Sequence, residues 1–333
     1  MPGYLLTRLL GTLPVLLLIS LLVFLLIHAA PGDPTLMLLG ENATAADVAE
    51  ARQRWGLDQP ILIQYFKFVS SIATGNLGKS FRFGEPVRAV IATRLQATLE
   101  LAIFSILVAT ILAIPLGVWA GAKPNSWIDN LGTSVGLFGI SMPSFWLGIM
   151  LILFLAGYFH LLPSAGRSTY GVAGPDETGF YILDSITQRN WPAVKDALSH
   201  LALPAIALGI NMVGILMRVT RSAVLQVMHE EYVVTARAKG LAERRVLWRH
   251  VLTNALIPIV TIAGLELGAL LSGSIIVETV FAWPGMGSLL ITGITARDYP
   301  LVTGLVLVYT VAFVIINLVI DALYVLIDPR IRR

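Results

Sequence analysis

The sequence contains no cysteine and few charged residues. Without cysteine, neither a disulfide framework nor a thiolate metal site is possible. Asp, Glu, Lys and Arg make up only 13% of the 333 residues, whereas 56% are hydrophobic. An ordinary soluble domain contains about 25% charged residues. The composition therefore indicates a membrane protein, and it says nothing about the redox compartment.

Recognisable catalytic and metal-binding patterns are also lacking. The five histidines are dispersed, and none forms the pair, four residues apart with an intervening glutamate, that binds zinc in metalloproteases. No serine flanked by glycines stands out inside an apolar run with a histidine partner. The sequence thus offers no catalytic residue and no metal site, which argues against an intramembrane enzyme. Nothing in it predicts a nucleic-acid partner.

Residues 75–80, GNLGKS, end like a phosphate-binding loop. Such a loop has another glycine five residues before Gly78, so that its backbone amides surround the phosphates, but position 73 is alanine. No strand precedes the segment, and the orientation argued below places it outside the cell. We therefore expect this chain to bind no nucleotide and no other cofactor.

Six apolar runs are each long enough to cross about 30 Å of hydrocarbon as a helix. The first continues beyond the ~15 residues of a signal peptide's apolar region, which favours a retained helix. The sequence therefore predicts an all-α membrane protein with a single transmembrane domain, residues 1–333, and both termini on one side. The predicted spans are residues 9–30, 98–120, 132–158, 199–217, 255–277 and 302–326.

Basic residues indicate how these spans are oriented. The interval 218–253 contains seven arginines and lysines and the last four residues add three arginines, whereas 278–301 contains only Arg297. By the positive-inside rule, this interval and both termini are predicted to be cytoplasmic. The loop 31–97, which is then external, is also basic but is too long for the rule to apply.

The external loop 31–97 contains two segments that are predicted to form amphipathic helices, Thr44 to Trp55 and Pro60 to Ala73. Their residues Trp55, Tyr65 and Phe66 are of the kind that anchor a helix at the membrane–water boundary. So few residues cannot bury a core of their own. We therefore expect both helices to lie along the outer surface of the membrane.

The interval 218–258 contains the signals of a short helix. Glu230 and Glu231 begin the helical run, Lys239 ends it, and Gly240 follows at the place where a left-handed residue stops a helix. A helix of about nine residues is only about 13 Å long and is marginal in isolation. This helix therefore needs a surface to pack on.

A second amphipathic run, Ala242 to Val251, follows the glycine and leads into the next span. Together the two runs predict a helix–glycine–helix elbow on the membrane face. We expect the elbow to present three small residues and two cations to a partner outside the membrane: Thr235, Ala236, Ala238, Arg237 and Lys239.

Within the spans, two pairs of glycines and one carboxylate are informative. Gly132 and Gly136 share one helix face, as do Gly264 and Gly268, and such spacing permits close approach of a neighbouring helix. Glu266 points about 160–200° away from the second pair. Because a carboxylate near mid-bilayer is costly, we expect Glu266 to face water or the bundle interior.

The elbow contains TARAKGL at 235–241, followed by His250, Asn254-Ala255 and Pro258. Together these residues resemble the cytoplasmic coupling loop of bacterial ABC importer permeases. Val234, Thr235 and Thr253 replace residues that are usual in importers at large. This variant is common in the branch that handles dipeptides, oligopeptides and nickel.

Other segments extend the resemblance to nearly the whole chain and bring it closest to dipeptide permeases. They are GNLGKS at 75–80, FAWPG at 281–285, RDYP at 297–300 and DPRIR at 328–332. The resemblance implies the fold of a type I importer permease, with six transmembrane helices and an external amphipathic-helix insertion after the first.

In that family the short helix before the glycine docks on an ATP-hydrolysing subunit. The resemblance therefore implies a coupling role for eight residues: Glu231, Thr235, Ala236, Arg237, Ala238, Lys239, Gly240 and Leu241. It also implies a second homologous permease chain, two ATPase subunits that hold ATP and Mg²⁺, and a periplasmic or surface binding protein. The expected location is the bacterial inner membrane.

The sequence thus predicts a permease subunit that forms half of a translocation pathway for dipeptides or short peptides. Glu266, Asn211 and Asn317 are candidate residues of the pathway, although for Glu266 a static interhelical hydrogen bond is the favoured alternative. Nickel, glutathione and other oligopeptides are alternative cargoes. An ion-coupled secondary transporter is an alternative of another class, and it requires paired intramembrane charges or matching broken helices. The Gly- and Pro-containing loop 277–300 is predicted to be a re-entrant or surface loop that touches the binding protein.

Overall fold

The computed structural model describes residues 2–29, 44, 58–169, 172 and 177–327. Within these residues the regular structure is helical, and the one β contact is an isolated bridge between Lys79 and Pro86. The helices are α1 (Pro2–Ala29), α2 (Ile61–Ala73), α3 (Val87–Ala122), α4 (Trp127–Ser141), α5 (Ser144–Leu151, continuing as a π-helix over Ile152–Tyr158), α6 (Tyr181–Thr187), α7 (Trp191–Val227), α8 (Glu231–Ala238), α9 (Glu243–Arg245, continuing as a π-helix over Val246–Val251), α10 (Leu252–Gly273), α11 (Ile275–Val280), α12 (Met286–Thr295) and α13 (Tyr299–Ile327).

Four stretches of the described residues are long and apolar enough to cross a membrane: Val87–Ala122, Trp191–Val227, Glu243–Leu271 and Tyr299–Tyr324. They contain or overlap four of the predicted spans. The pair Trp127–Ser141 and Ser144–Tyr158 makes a fifth span if the two bent halves count as one. In α1, the apolar stretch whose side chains are described is Leu10–Leu26, which is shorter than these four stretches. The count of six spans stays a prediction.

The predicted span 132–158 differs most from a simple helix. α4 and the helix that begins at Ser144 meet at an angle of 100°. Met142 is extended (φ −96°, ψ 123°) because the ring of the following Pro143 clashes with a helical conformation at the preceding residue. Pro143 also lacks the N–H that would continue the ladder. A single proline therefore divides this span into two short helices.

α7 is the central helix of the bundle. Of the residues in its most apolar part, 72% are buried, whereas the corresponding share is 28–39% in the other three candidate spans. α3 lies directly against it, and Gly117 and Gly121 are the points of closest approach. A Cβ at either glycine would come within 3 Å of a backbone carbonyl of α7, Met217 O at 2.8 Å or Arg221 O at 2.7 Å. The small residues let the two longest helices pack backbone to backbone.

α4 packs on the same central helix through the predicted glycine face. Gly136 lies against Gly214, and a Cβ at Gly139 would lie 2.8 Å from the Ile210 carbonyl oxygen. At the start of α4 the hydroxyl of Ser126 accepts a hydrogen bond from the Asp129 N–H at 3.3 Å. The close approach predicted for Gly136 is therefore present.

α2 occupies the segment in which a helix was predicted from Pro60 to Ala73, and Pro60 is its N-cap. The Tyr65 hydroxyl donates to the Leu17 carbonyl at 3.1 Å and lies 2.9 Å from the Ser20 hydroxyl. Tyr65 thus ties α2 to α1, while Phe66 is the exposed aromatic residue that an interfacial anchor requires. The helix predicted at 44–55 lies, apart from Thr44, outside the described residues.

Candidate coupling surface and pathway residues

The short helix α8 forms where its local signals predict. Glu231 lies in its first turn and Arg237 in its last, so both charges complement the helix dipole. Lys239 is the C-cap, and Gly240 adopts φ +76°, the left-handed conformation that a glycine enters without strain. The Gly240 N–H donates to the Arg237 carbonyl at 2.9 Å and closes the last turn.

One face of α8 attaches it to the membrane helices. Val233 and Ala236, three residues apart, are both buried. They join a hydrophobic cluster with residues of α3, α7 and the stretch 246–259, including Val224 and Val251. Ala236 is therefore an attachment residue and is not part of the outward surface that the sequence predicts for it. Periodicity gives the spacing of a face, whereas the choice of the inner face follows the larger side chain of Val233.

The opposite face of α8 is exposed. Val234 is 57% exposed and Tyr232 41%. Thr235, Ala238 and Lys239 are exposed beside them, and so is Glu231 at the start of the helix. We call Glu231, Tyr232, Val234, Thr235, Ala238 and Lys239 the outer face. It is apolar and small in its middle and charged at its two ends.

Arg237 does not belong to the outer face as a free cation. Its Nη2 donates to Glu243 Oε1 at 2.7 Å and its Nε to Oε2 at 3.1 Å. These hydrogen bonds raise the pKa of the Arg237 guanidinium, which therefore stays charged. The ion pair joins the end of α8 to the start of α9. Leu241, between them, is half-buried against the same cluster that holds Val233.

The elbow is continuous with two spans. Only Met228, His229 and Glu230 separate the end of α7 from α8. On the other side, the predicted amphipathic run 242–251 is helical and continues without a break into α10. A displacement of α8 therefore acts directly on α7 and α10.

The sequence does not predict the ion pair near the elbow between the buried Asp129 and the partly exposed Arg221. Arg221 Nη2 donates to Asp129 Oδ2 at 2.8 Å and its Nε to Oδ1 at 2.5 Å. Asp129 is buried and also accepts from the Asn125 N–H at 2.8 Å. The pair fixes the start of α4 to the last turns of α7. One sequence feature could have indicated the pair: both residues lie next to predicted spans, on the side that the positive-inside rule makes cytoplasmic.

The three candidate pathway residues lie in different environments. Gly264 and Gly268 face α13, where added Cβ atoms would meet Ile320 and Phe313, so Glu266 points away from that helix. Glu266 is half-buried, and within the described residues it has no hydrogen-bond or ion-pair partner. The static interhelical hydrogen bond considered for it is therefore not found among these residues.

The two asparagines both bind backbone carbonyls. Asn317 Nδ2 donates to Phe313 O, one turn earlier in the same helix, at 2.8 Å. With its amide nitrogen turned toward them, Asn211 donates to the carbonyls of Gly139 and Met142, the latter at 3.1 Å. Asn211 thus satisfies carbonyls at the end of α4 that the break at Pro143 leaves without helical partners. This contact binds α7 to the bent span.

The loop 277–300, predicted as a re-entrant or surface loop, has a buried first half. Phe281 and Trp283 are buried, and Trp283 Nε1 donates to the Ala97 carbonyl at 2.9 Å. Glu278 is 0% exposed. Its carboxylate accepts four hydrogen bonds: from Thr98 Oγ1 and Ser274 Oγ, both at 2.9 Å, Gly287 N at 2.7 Å and Ser288 N at 3.0 Å. Glu278 therefore caps the start of α12 and joins it to α3, and this burial favours the re-entrant alternative over the surface loop.

Two more carboxylates, Glu100 and Asp184, also accept several hydrogen bonds each. Glu100 accepts from Arg167 Nη2 at 2.6 Å and from the Ile182 N–H at 3.0 Å. Asp184 accepts from the Thr178 hydroxyl at 2.6 Å and from three backbone N–H groups, the closest at 3.0 Å. Burial alone would raise the pKa of Asp184, but these hydrogen bonds outweigh it and lower the pKa. We call Glu100, Arg167, Asp184 and Glu278 the clasp.

The GNLGKS segment binds the start of the last span at the same end of the bundle. The Ser80 hydroxyl donates to Asp298 Oδ2 at 2.5 Å, and the Arg82 N–H donates to the same oxygen at 2.9 Å. Asp298 is buried and accepts the Leu301 N–H at the start of α13. The motif thus fastens the segment before α3 to the last span.

Comparison with known proteins agrees with this arrangement. Residues 113–333 match the family described as binding-protein-dependent transport system inner membrane component, and residues 1–102 match its N-terminal domain. The probable D,D-dipeptide transport system permease protein DdpB of Escherichia coli strain K12 is 43% identical over 316 residues, 95% of this chain and 93% of that protein. The dipeptide transport system permease protein DppB of Alkalihalophilus pseudofirmus is 40% identical over 332 residues, 100% of both chains.

One solved structure supports the fold. An inward-facing MetNI methionine ABC transporter chain superposes with a TM-score of 0.53 over 72% of this chain and 97% of its own length, at 16% sequence identity. At that identity the likeness concerns the fold alone. It agrees with the all-α, type I importer architecture expected from the sequence.

Proposed function

This chain belongs to the family of binding-protein-dependent transport system inner membrane components, and on that premise we propose that it forms half of the translocation pathway of an ATP-driven importer of dipeptides or short peptides. It is a bacterial inner-membrane transporter subunit and not an enzyme. The observation that carries the cargo proposal is identity of 40–43% over nearly the whole chain with permeases named for dipeptides.

The proposed assembly has four kinds of component. This chain forms one transmembrane domain, residues 1–333, with six spans and both termini in the cytoplasm. It pairs with a second homologous permease. Two ATPase subunits bind ATP and Mg²⁺, and a periplasmic or surface binding protein delivers the peptide. This chain itself holds no cofactor. The outer face of α8 supports the ATPase contact, because exposed apolar residues rimmed by charged ones are typical of a docking surface.

Coupling then follows from the attachment of the elbow. An ATPase that moves the outer face moves α8 as a unit, because Val233 and Ala236 hold its inner face and Arg237 holds its end to Glu243. α7 and α10 continue from the two sides of the elbow and transmit the displacement into the membrane. The transporter alternates between two populated arrangements, and ATPase closure favours the one that opens toward the binding protein.

Glu266 is the pathway residue that the structure supports best. A carboxylate with no partner among the residues that the structure describes is costly in hydrocarbon, so Glu266 requires water or the second permease beside it. In a hydrated path it attracts the ammonium group of a zwitterionic peptide. Asn317 is placed on α13 with spare hydrogen-bonding capacity, whereas Asn211 is already engaged at the break in the bent span.

Site-directed crosslinking tests the ATPase contact, since the chain has no native cysteine. Single cysteines at Val234 and Ala238 on the outer face are paired with cysteines on the co-expressed ATPase subunits. We expect ATP-sensitive disulfides from both positions. A cysteine at the buried Ala236 is the matched control and should give none. Absence of crosslinks from all three positions in a properly assembled complex would detach this chain from an ATPase.

Uptake into proteoliposomes tests the cargo. We expect labelled dipeptide uptake that requires ATP, the ATPases and the binding protein, and that Glu266→Gln reduces. Competition by glutathione or nickel in preference to dipeptides would identify the alternative cargo. Uptake driven by an ion gradient without ATPases would favour the secondary transporter. We assign most of the substrate specificity to the binding protein, so submicromolar binding of peptide to the isolated chain would contradict the proposal.

A further inference from the structure

The helical stretch after the elbow exposes arginine and tryptophan on one side. Val246, Leu247 and Val251 are buried in the cluster beneath α8. Arg244, Arg245 and Arg249 are exposed, and Trp248 is 38% exposed. At about 100° per residue these four side chains fall on the side opposite to the buried one. We call Arg244, Arg245, Trp248 and Arg249 the arginine face.

The three arginines of the arginine face lack the carboxylate partners that three other described arginines have. Arg167, Arg221 and Arg237 each pair with a carboxylate, Glu100, Asp129 and Glu243. Across residues 2–29, 58–169 and 177–327, none of the three arginines of the arginine face has a hydrogen-bond or ion-pair partner. The acid nearest in sequence, Glu243, is already held by Arg237. Three unneutralised positive charges therefore lie side by side.

The position of this face indicates what neutralises it. The stretch is the beginning of the candidate span Glu243–Leu271. At a rise of about 1.5 Å per residue, Trp248 and Arg249 lie within about 6 Å of Leu252 along the helix, and Arg244 within about 12 Å. Headgroups occupy the first several ångströms outside the hydrocarbon, and tryptophan is enriched at that depth. Long arginine side chains reach phosphates at this level.

We propose that the arginine face binds the headgroup of an anionic phospholipid of the cytoplasmic leaflet. Guanidinium groups bind phosphate oxygens in bidentate geometry, and Trp248 supplies the amphipathic ring that packs at the same depth. Because α8 and the arginine face are joined through the Arg237–Glu243 pair, the lipid holds the hinge of the elbow at the membrane surface. The inference depends on α10 crossing the membrane and not on the identity of the cargo.

Retention of phosphatidylglycerol tests the proposal. The assembled transporter is reconstituted in nanodiscs of equal phosphatidylglycerol and phosphatidylcholine, and the lipids that remain bound are counted by native mass spectrometry. The test variant is R244Q/R245Q/R249Q. The matched control, R82Q/R88Q/K195Q, removes the same charge from exposed cations far from the elbow. Near an anionic surface each arginine contributes a factor of about five in affinity.

We expect the test variant to lose its preference for phosphatidylglycerol by at least tenfold and the control to keep it. Trp248→Ala should give a smaller loss, which locates the lipid beside the ring. Equal retention in test and control variants would overturn the proposal. Loss of the ATPase subunits with phosphatidylglycerol retention unchanged would overturn it too, because it would assign the face to a protein partner. Uptake measured in parallel separates this result from any failure of the proposed transport function.

Discussion

The clasp and the elbow lie at opposite ends of the bundle and are built in opposite ways. Thr98 and Glu100, which join the clasp, are about 30 Å along α3 from Gly117 and Gly121, which lie near the elbow. In the clasp, buried carboxylates receive several hydrogen bonds each. At the elbow, an eight-residue helix is held by two buried side chains and one exposed ion pair.

This difference separates residues that maintain the fold from residues that can serve motion. A buried carboxylate is costly unless neighbouring groups donate hydrogen bonds to it. These hydrogen bonds come from different helices, so the clasp fixes α3, α11 and α12 relative to one another. The elbow has few interactions to lose when it moves. Local stability follows contact density, and segments that move in transport come from its low end. Substitutions in the two regions should therefore differ in kind: those in the clasp unfold the protein, and those in the elbow uncouple it.

The largest effect is expected at Glu278. Glu278→Ala leaves the donors of Thr98, Ser274, Gly287 and Ser288 without their acceptor, and a buried donor left unpaired costs about 1–3 kcal/mol. We expect a large fall in the midpoint of thermal denaturation in detergent. Glu278→Gln keeps one acceptor oxygen and should lose less. Glu85→Ala, at an exposed glutamate, is the control and should have little effect. A midpoint for Glu278→Ala equal to that of the control would show that the clasp does not support the fold.

A smaller, pH-dependent effect is expected at Asp184. Its pKa is lowered in the folded state, so its contribution is fully present above the unfolded value of about 3.9 and is lost as the pH falls through the folded value. Asp184→Asn should destabilise the protein at pH 7 by about 1.5–3 kcal/mol, the usual range for hydrogen bonds to a charged group. Thermal midpoints of the two proteins from pH 7 to pH 3 should converge on acidification. Parallel pH profiles would show that the carboxylate charge is not what the surrounding N–H groups bind.

Val233 and Val234 sharpen the comparison within the elbow itself. They are adjacent and chemically identical, but Val233 is buried and Val234 is 57% exposed. Val233→Ala should cost about 2 kcal/mol from lost burial. Val234→Ala should stay within about 0.5 kcal/mol, as surface substitutions do. Dipeptide uptake and binding-protein-stimulated ATPase activity provide the second measurement.

We expect Val234→Arg to reduce coupling without reducing stability, because it places a bulky charge on the outer face. Val233→Ala should lower stability first and coupling only as a consequence. Normal coupling in a stable, assembled Val234→Arg transporter would contradict the placement of the ATPase on that face.

The sequence predicts the features that depend on residues close to one another along the chain. The acidic start of α8, its end at Lys239 and the left-handed Gly240 are local effects, and the structure contains them all. The contact of Gly136 with α7 follows from helical spacing. These predictions succeed because propensity, capping and periodicity are written in a few consecutive residues.

The remaining features depend on contacts between distant segments. Ala236 shares its spacing with outward residues of α8, and only the cluster beneath Val233 decides that it faces inward. Glu278 lies in a Gly- and Pro-containing segment, and its burial depends on donors from α3 and α12. Pro143 lies inside a predicted span, while the 100° angle depends on how α4 and α5 pack.

The smallest effect is expected for the ion pair that closes the elbow. Arg237 and Glu243 have side chains 36% and 55% exposed, so water screens their attraction and the pair should contribute about 0.2–1 kcal/mol. A double-mutant cycle with Arg237→Ala and Glu243→Ala in detergent measures this coupling energy, which added salt should weaken. If the pair acts as a tie that transmits motion, both single variants should lower uptake per ATP hydrolysed, and the charge-reversed pair R237E/E243R should recover it. A coupling energy of 3 kcal/mol or more would instead place the elbow with the clasp, as a region held rigidly by its charges.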